Sequence, residues 1–326
     1  MSKRKTEQSG HSEQTKSIGE LTRTFLDSVT PEHERIPVEH DESTDTLMTG
    51  LPSLDHTLEG LKGGHLHLVG SRPGTGKTQF LKTLARNVAI QQEVPTLFYS
   101  FASATEQLVQ QILELTAGMA HHGTSEDRTY TDAHRIRLKE ASRKLQDTPL
   151  LFSDDQMDTT SLVDHIKRMN HEHHLELIML DGPGNLSDFD GTRRQGKELL
   201  NKLKQVAVEL DVVIVSTVDL EENDGTHTPF HPEHAHFDRT TAMEHPVDVL
   251  LLLYRDFYYT ADQNRKSITE IMIARNSAGP TRPVKLKYDR ENMIFCELPP
   301  GYSSHKETGP SSNSSFQHGT DMLEES

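Results

Sequence analysis

The run Gly70-Ser71-Arg72-Pro73-Gly74-Thr75-Gly76-Lys77-Thr78 holds the residue types that grip a nucleotide's phosphates. Glycines let backbone N–H groups curl around an anion. A lysine after the last glycine reaches the β- and γ-phosphates, and the following hydroxyl ligates Mg²⁺ at a helix N-terminus. The pattern G-x-x-x-x-G-K-[ST] is met with Ser71 in first place and Gly70 one residue early. A small residue there still permits the turn. Ser71, Arg72, Pro73, Gly74, Thr75, Gly76, Lys77 and Thr78 are therefore the predicted cofactor contacts, with ATP and Mg²⁺ as the cofactors.

A second acid belongs with them. Leu175-Glu176-Leu177-Ile178-Met179-Leu180-Asp181 is an apolar strand that ends in a carboxylate. A buried parallel strand delivers such a group at its C-terminal end, where it holds Mg²⁺ through water opposite the phosphates. Thr78 and Asp181 form the predicted metal pair, and Lys77 and Asp181 are the first catalytic candidates.

The elements around these residues must position them. Leu66-His67-Leu68-Val69 reads as the strand before the loop, and residues 78–91 as the helix after it, with Phe80, Leu81, Leu84 and Val88 inward. Further strands are expected at 95–100, 149–152, 175–181, 212–216 and 247–254, with helices at 106–115, 130–147, 161–170 and 198–210 between them. Residues 268–274, 284–288 and 293–298 read as closing strands, the last pair joined by a turn at Asp289-Arg290-Glu291-Asn292. Strands alternating with helices imply an α/β fold, a mostly parallel twisted sheet with helices on both faces and antiparallel strands closing its C-terminal end.

Composition sets the limits. Residues 1–15 and 301–326 are polar and read as disordered tails. Residues 16–30 place Ile18, Leu21, Phe25, Leu26 and Val29 on one face of an amphipathic helix. Residues 31–45 form a polar linker, and 46–300 one compact domain. The face of helix 16–30 either packs on its own domain or docks on a neighbouring copy. No run of 18 apolar residues exists to cross a membrane, the opening residues lack a leader's apolar stretch, and Cys296 is the single cysteine. These features predict a cytoplasmic protein without disulfides. The formal charge of −16 opposes general attraction to nucleic acid but permits a local basic channel. The 20 histidines, including His171, His173, His174, His231, His234 and His236, match no common zinc spacing and read as solvated surface.

Taken together, Met48-Thr49-Gly50-Leu51-Pro52-Ser53-Leu54-Asp55, Gly60-Leu61, the loop at 71–78, Tyr99-Ser100 through Glu106-Gln107, Ile178 to Asp181, Val213 to Ser216, Asp248 to Asp256 and Gly279-Pro280 resemble the RecA-type motor domain of DnaB-like replicative helicases. The resemblance spans residues 16 to 298 and implies a RecA-like P-loop NTPase core. It likens helix 16–30 to the family's linker helix, which docks on the adjacent subunit of a hexameric ring, so that a homo-oligomer through residues 16–30 is expected. It implies single-stranded DNA and other replication proteins as partners. No segment resembles the family's primase-binding N-terminal domain. Residues Gly184 to Lys197 correspond to a loop facing the ring's channel, with Arg193, Arg194 and Lys197 as its cations; without the resemblance they read equally as a solvated helix start. A second channel loop falls near His236 to Thr241.

The departures fall at catalytic positions. The family's water-orienting glutamate corresponds to Ala102, its γ-phosphate-sensing glutamine to Thr217, and its two basic fingers before Gly-Pro to Arg275 and Ser277. Arg275 is the remaining candidate finger for a neighbour's nucleotide. A positioned base is worth about 10² to 10⁴ in rate and an arginine finger about 10³ to 10⁵, not simply multiplied. Three functions remain open on the sequence: an ATP-binding helicase-domain protein of replication or recombination with impaired hydrolysis, an active 5′–3′ helicase motor, and a nucleotide-dependent scaffold for a replication protein.

Overall fold

A computed structural model of the protein describes residues 15–29, 46–119, 130–220, 246–255 and 267–299. The chain enters as β1 (Lys16–Ser17) and α1 (Ile18–Val29), and resumes with β2 (Thr46–Leu47), α2 (Pro52–Leu58), β3 (Leu61–Lys62) and β4 (Leu66–Ser71). The phosphate loop follows, then α3 (Lys77–Leu84), which passes directly into a π-helical turn, Ala85–Ile90. Next come β5 (Thr96–Ser100), α4 (Thr105–Thr116), α5 (Asp132–Leu145), β6 (Leu150–Ser153), α6 (Thr159–His173) and β7 (Leu177–Asp181). A short 3₁₀ turn, Pro183–Asn185, leads to α7 (Arg193–Leu210), β8 (Val213–Asp219), β9 (Val249–Tyr254), β10 (Ile268–Asn276), β11 (Val284–Asp289) and β12 (Ile294–Glu297).

Ten strands form one sheet in the order β1-β6-β5-β7-β8-β4-β9-β10-β11-β12. The six from β6 to β9 are mutually parallel; β1 and the last three strands run antiparallel to their neighbours. The expected α/β architecture is the observed one. Strands covered on both faces are buried along their whole length, as in β4, β5, β7 and β9. β11 alternates buried and exposed residues because one of its faces meets solvent. Helices α6 and α7 bury Leu162, Ile166, Leu203 and Ala207 against one face; α1, α3, α4 and α5 bury Ile18, Leu81, Ile112 and Leu138 against the other.

Three expectations change. The helix read over 78–91 is not uniform, since Gln91 N–H donates to the Arg86 carbonyl five residues back (3.0 Å). Strand 212–216 begins at Val213 and runs on to Asp219 because its end pairs with the first residue of the phosphate loop, Ser71 opposite Asp219. Helix α1 finds its cover in its own chain: Ile18 and Leu21 are buried, and Phe25 packs edge-on to Tyr130 at 6.3 Å. Gly19 permits this approach, because a Cβ there would collide with the Gln146 carbonyl oxygen at the end of α5.

Candidate nucleotide site

Parallel strands bring their C-terminal ends to one edge of the sheet, and the chemistry gathers there. β4 ends in the loop, and α3 starts on it, with the Phe80 N–H donating to the Gly76 carbonyl at 2.9 Å. The first backbone amides of α3 thereby point at the loop's mouth, the arrangement that favours an anion. Lys77 Nζ donates to Asp219 Oδ1 at 2.6 Å and sits 3.4 Å from the Ser71 carbonyl. β7 lies two strands from β4 and carries Asp181 to the same edge, where Thr78 Oγ1 donates to Asp181 Oδ2 at 2.7 Å.

Asp181 is 1% exposed, and burial pushes its carboxyl above the usual range, against hydrogen bonds from Thr78 and Thr217 and the nearby Lys77 charge, which pull it down. A buried carboxylate whose ionised form is disfavoured gains from a cation beside it. Its oxygens and the Thr78 hydroxyl are hard donors of the kind Mg²⁺ takes. The residues present fit the metal that the loop implies.

β5 pairs with β7 so that Ser100 lies opposite Asp181, and the next residues fold over the β7 end, with Phe101 N–H donating to the Asp181 carbonyl at 2.9 Å. Ala102 follows, exposed and directly against Gly182. A Cβ on Gly182 would lie 2.7 Å from the Ala102 methyl, and Gly182 has φ +71°. The position read as catalytic by resemblance thus packs against Gly182, next in the chain to Asp181, and carries only a methyl group.

A cleft of about 340 Å³ opens on the other side of the loop, lined by Gly74, Gly76 and Gln79 together with Arg255, Tyr288, Arg290 and Met293. The Arg255 guanidinium lies over the Tyr288 ring, 4.1 Å from its centroid. A flat cationic and aromatic wall next to a phosphate loop is suited to the base and sugar of a nucleotide. The loop glycines apart, none of these residues is expected at a site from the sequence.

The family described as DnaB-like helicase C terminal domain matches residues 46–297, most of the chain. The chain belongs to this family. The replicative DNA helicase DnaB of Geobacillus stearothermophilus is 26% identical over 298 residues, 88% of this chain and 63% of that protein. DnaB of Leifsonia xyli is 25% identical over 276 residues, 81% of this chain and 59% of the relative. The chain therefore spans about three fifths of the length of these relatives. One solved ATPase domain superposes with a TM-score of 0.69 at 20% identity, covering 87% of this chain and 99% of that domain. A DnaB-like replicative helicase, solved in a study of its interactions with primase, gives a TM-score of 0.66 at 19% identity over 86% of this chain and 68% of its own.

The remaining sequence candidates of this DnaB-like domain are dispersed. Arg275 pairs in register with Leu250 on β9, whose parallel partner is Leu68 near the start of β4. It is exposed, one residue from the end of β10, and that end lies toward the edge of the sheet opposite the loop. Ser277 lies beside it, its N–H donating to the Asp248 carbonyl. Arg194 and Lys197 are exposed on the first turns of α7, Arg194 with Glu198 at 3.9 Å; of Arg193 the helical backbone position is described. The expected second channel loop and His231, His234 and His236 lie outside the described residues. Among the described residues no group of three His, Cys, Asp or Glu side chains gathers as a metal cluster, and no helix is long and apolar enough to cross a membrane. Sequence reading missed Asp219, which reaches the loop only because β8 pairs with β4 beyond its apolar part.

Proposed function

We propose that this chain is an ATP- and Mg²⁺-binding DnaB-like motor domain of DNA replication or recombination whose hydrolysis is impaired. The observation that carries this reading is the contrast within one site. Lys77, Thr78 and Asp181, residue types suited to phosphate and metal, gather at one edge of the sheet, while the residue packed against Gly182, the next after Asp181, is Ala102. A methyl group can neither accept a proton nor orient water. Lys77 would hold the β- and γ-phosphates, the α3 amides the β-phosphate, and Thr78 and Asp181 the Mg²⁺, whose positive charge offsets that of the phosphates. Arg275 is exposed near the sheet edge opposite its own loop, which suits a finger offered to a second copy, and the exposed Arg194 and Lys197 suit weak contact with single-stranded DNA. A homo-oligomeric ring in the cytoplasm, working with other replication proteins, is the assembly this reading implies.

The test is steady-state ATPase with and without single-stranded DNA, beside direct binding of a fluorescent ATP analogue. Tight Mg²⁺-dependent binding with turnover well below one per second is expected. Ala102→Glu should raise turnover at least about a hundredfold, the low end of what a positioned base contributes. DNA-stimulated turnover near one per second in the unmodified chain, lost in Lys77→Ala, would establish an active motor instead.

A further inference from the structure

We infer that Asp219 is a charge gate on the terminal-phosphate position, where its carboxylate competes with the γ-phosphate for Lys77 and biases the site toward the diphosphate. This inference rests on the loop's being an adenine-nucleotide site. It follows from how β8 ends. Thr217 and Asp219 are two residues apart on a strand and so share one face; the first turns to Asp181 and the second to Lys77. Register pairs Asp219 with Ser71, and the next N–H, that of Leu220, donates to the Ser71 carbonyl at 3.0 Å. The backbone beneath the carboxylate is thereby fastened to the first residue of the phosphate loop.

The Lys77 side chain is 11% exposed and that of Asp219 is 66% exposed, so the carboxylate is on the solvent side of the pair. Its 2.6 Å contact is far shorter than those of Lys77 to Ser71, at 3.4 and 3.5 Å. Asp219 pairs directly with the ammonium, and Asp181 adds a second negative charge nearby.

A diphosphate and a triphosphate meet this arrangement differently. The β-phosphate is held largely by backbone amides, and an ammonium with three N–H donors can serve it and Asp219 together. A γ-phosphate must enter the space the carboxylate occupies and carries like charge toward it. Because Asp219 is mostly exposed, it can swing into solvent, and an exposed ion pair is worth only a few-fold in an equilibrium. The gate is consequently a bias and not a block. Like-charge repulsion adds to that few-fold cost, giving about three- to tenfold against the triphosphate.

The same carboxylate could instead be expected to replace the acid missing at 102. Its near oxygen is committed to the Lys77 ammonium, which draws on the lone pairs a base would use. The two roles separate experimentally. Binding of fluorescent ADP and of a non-hydrolysable ATP analogue is measured in Mg²⁺ for the wild type, Asp219→Asn and Asp219→Ala, with turnover of ATP in parallel and thermal melting as the fold control. Both variants should bind the triphosphate about three- to tenfold more tightly and bind ADP within about twofold of wild type. Equal effects on both nucleotides, or none, overturn the gate while leaving the nucleotide-site reading intact. Loss of turnover with triphosphate affinity unchanged overturns it in favour of a base. Failure of folded wild type and variants alike to bind either nucleotide overturns the gate and the site reading together.

Discussion

Thr217 stands where the family carries a glutamine, and its hydroxyl is committed inward. It accepts the Gly182 N–H at 2.8 Å and turns its own proton to the Leu180 carbonyl or Asp181 Oδ1, each at 3.4 Å. A residue 2% exposed and held this way positions Asp181 and is not free to extend as a glutamine would. Substitution at 217 was legible in the sequence; its new use was not, because only the pairing of β7 with β8 sets the hydroxyl beside Gly182. The phosphate loop, Thr78 and Asp181 could be read directly, since their chemistry is carried by residue type and spacing. His67 gave no such signal. It is fully buried on β4 with neither ring nitrogen hydrogen-bonded, two residues from His65. Burial, and then the neighbouring His65, lower its pKa from the ordinary 6.5 to about 3. The unfolded chain then binds a proton that the folded chain refuses, so stability is full above pH 6.5 and falls as pH drops toward 3. Between pH 6.5 and 5 the loss should be on the order of 2 kcal/mol. Urea denaturation at the two pH values measures it, and His67→Leu, similar in volume, should flatten that dependence; an unchanged slope would move the acid sensitivity to other groups.

At the scale of elements, the stretch Met48 to Asp55, which carries much of the family resemblance, is a clip and not a catalytic feature. Asp55 accepts the Thr49 N–H and hydroxyl at 2.7 Å each and the Gly50 N–H at 3.1 Å. The Thr49 carbonyl in turn accepts Asn87 Nδ2 at 3.0 Å, and Asn87 belongs to the π-helical turn. The extra residue of that turn aims Asn87 at the clip, and so ties the far end of the phosphate-loop helix to α2. Asp55→Ala should cost about 2 kcal/mol, the value of hydrogen bonds to a charged acceptor lost from a partly buried site. Nucleotide affinity measured well below the lowered melting point should be unchanged. Intact stability with lost affinity would place Asp55 in the site instead. Apolar runs such as Leu177–Asp181 and Val249–Tyr254 announced their strands because burial on both faces demands them. The π turn, the short α2 and the polar end of β8 were not legible: each is set by tertiary partners, and a single inserted residue barely disturbs helical periodicity.

For the whole molecule, the placement of α1 decides how copies can associate. Ile18, Leu21 and Phe25 of its apolar face are covered within the chain, where α1 packs on α4 and α5, and docking these residues on a neighbour would exchange like contacts for like. Residues 30–45 lie outside the described residues; a stretch of that length spans at most roughly 55 Å, enough for either choice. An exchange of like for like gains nothing, and the tethered helix competes at an effective concentration in the millimolar range. Assembly at micromolar protein therefore needs a second contribution. Arg275, exposed at the opposite edge from its own loop, can supply it by reaching a neighbour's nucleotide. Sedimentation should accordingly show a monomer without nucleotide and a larger species with a non-hydrolysable ATP analogue and Mg²⁺. Leu21→Asp should abolish that shift and also lower the melting temperature, because Leu21 is buried in the same chain. Arg275→Ala should abolish the shift, with thermal melting as the fold control. Nucleotide-driven assembly that survives Leu21→Asp removes α1 from the interface, and assembly that survives Arg275→Ala removes the finger.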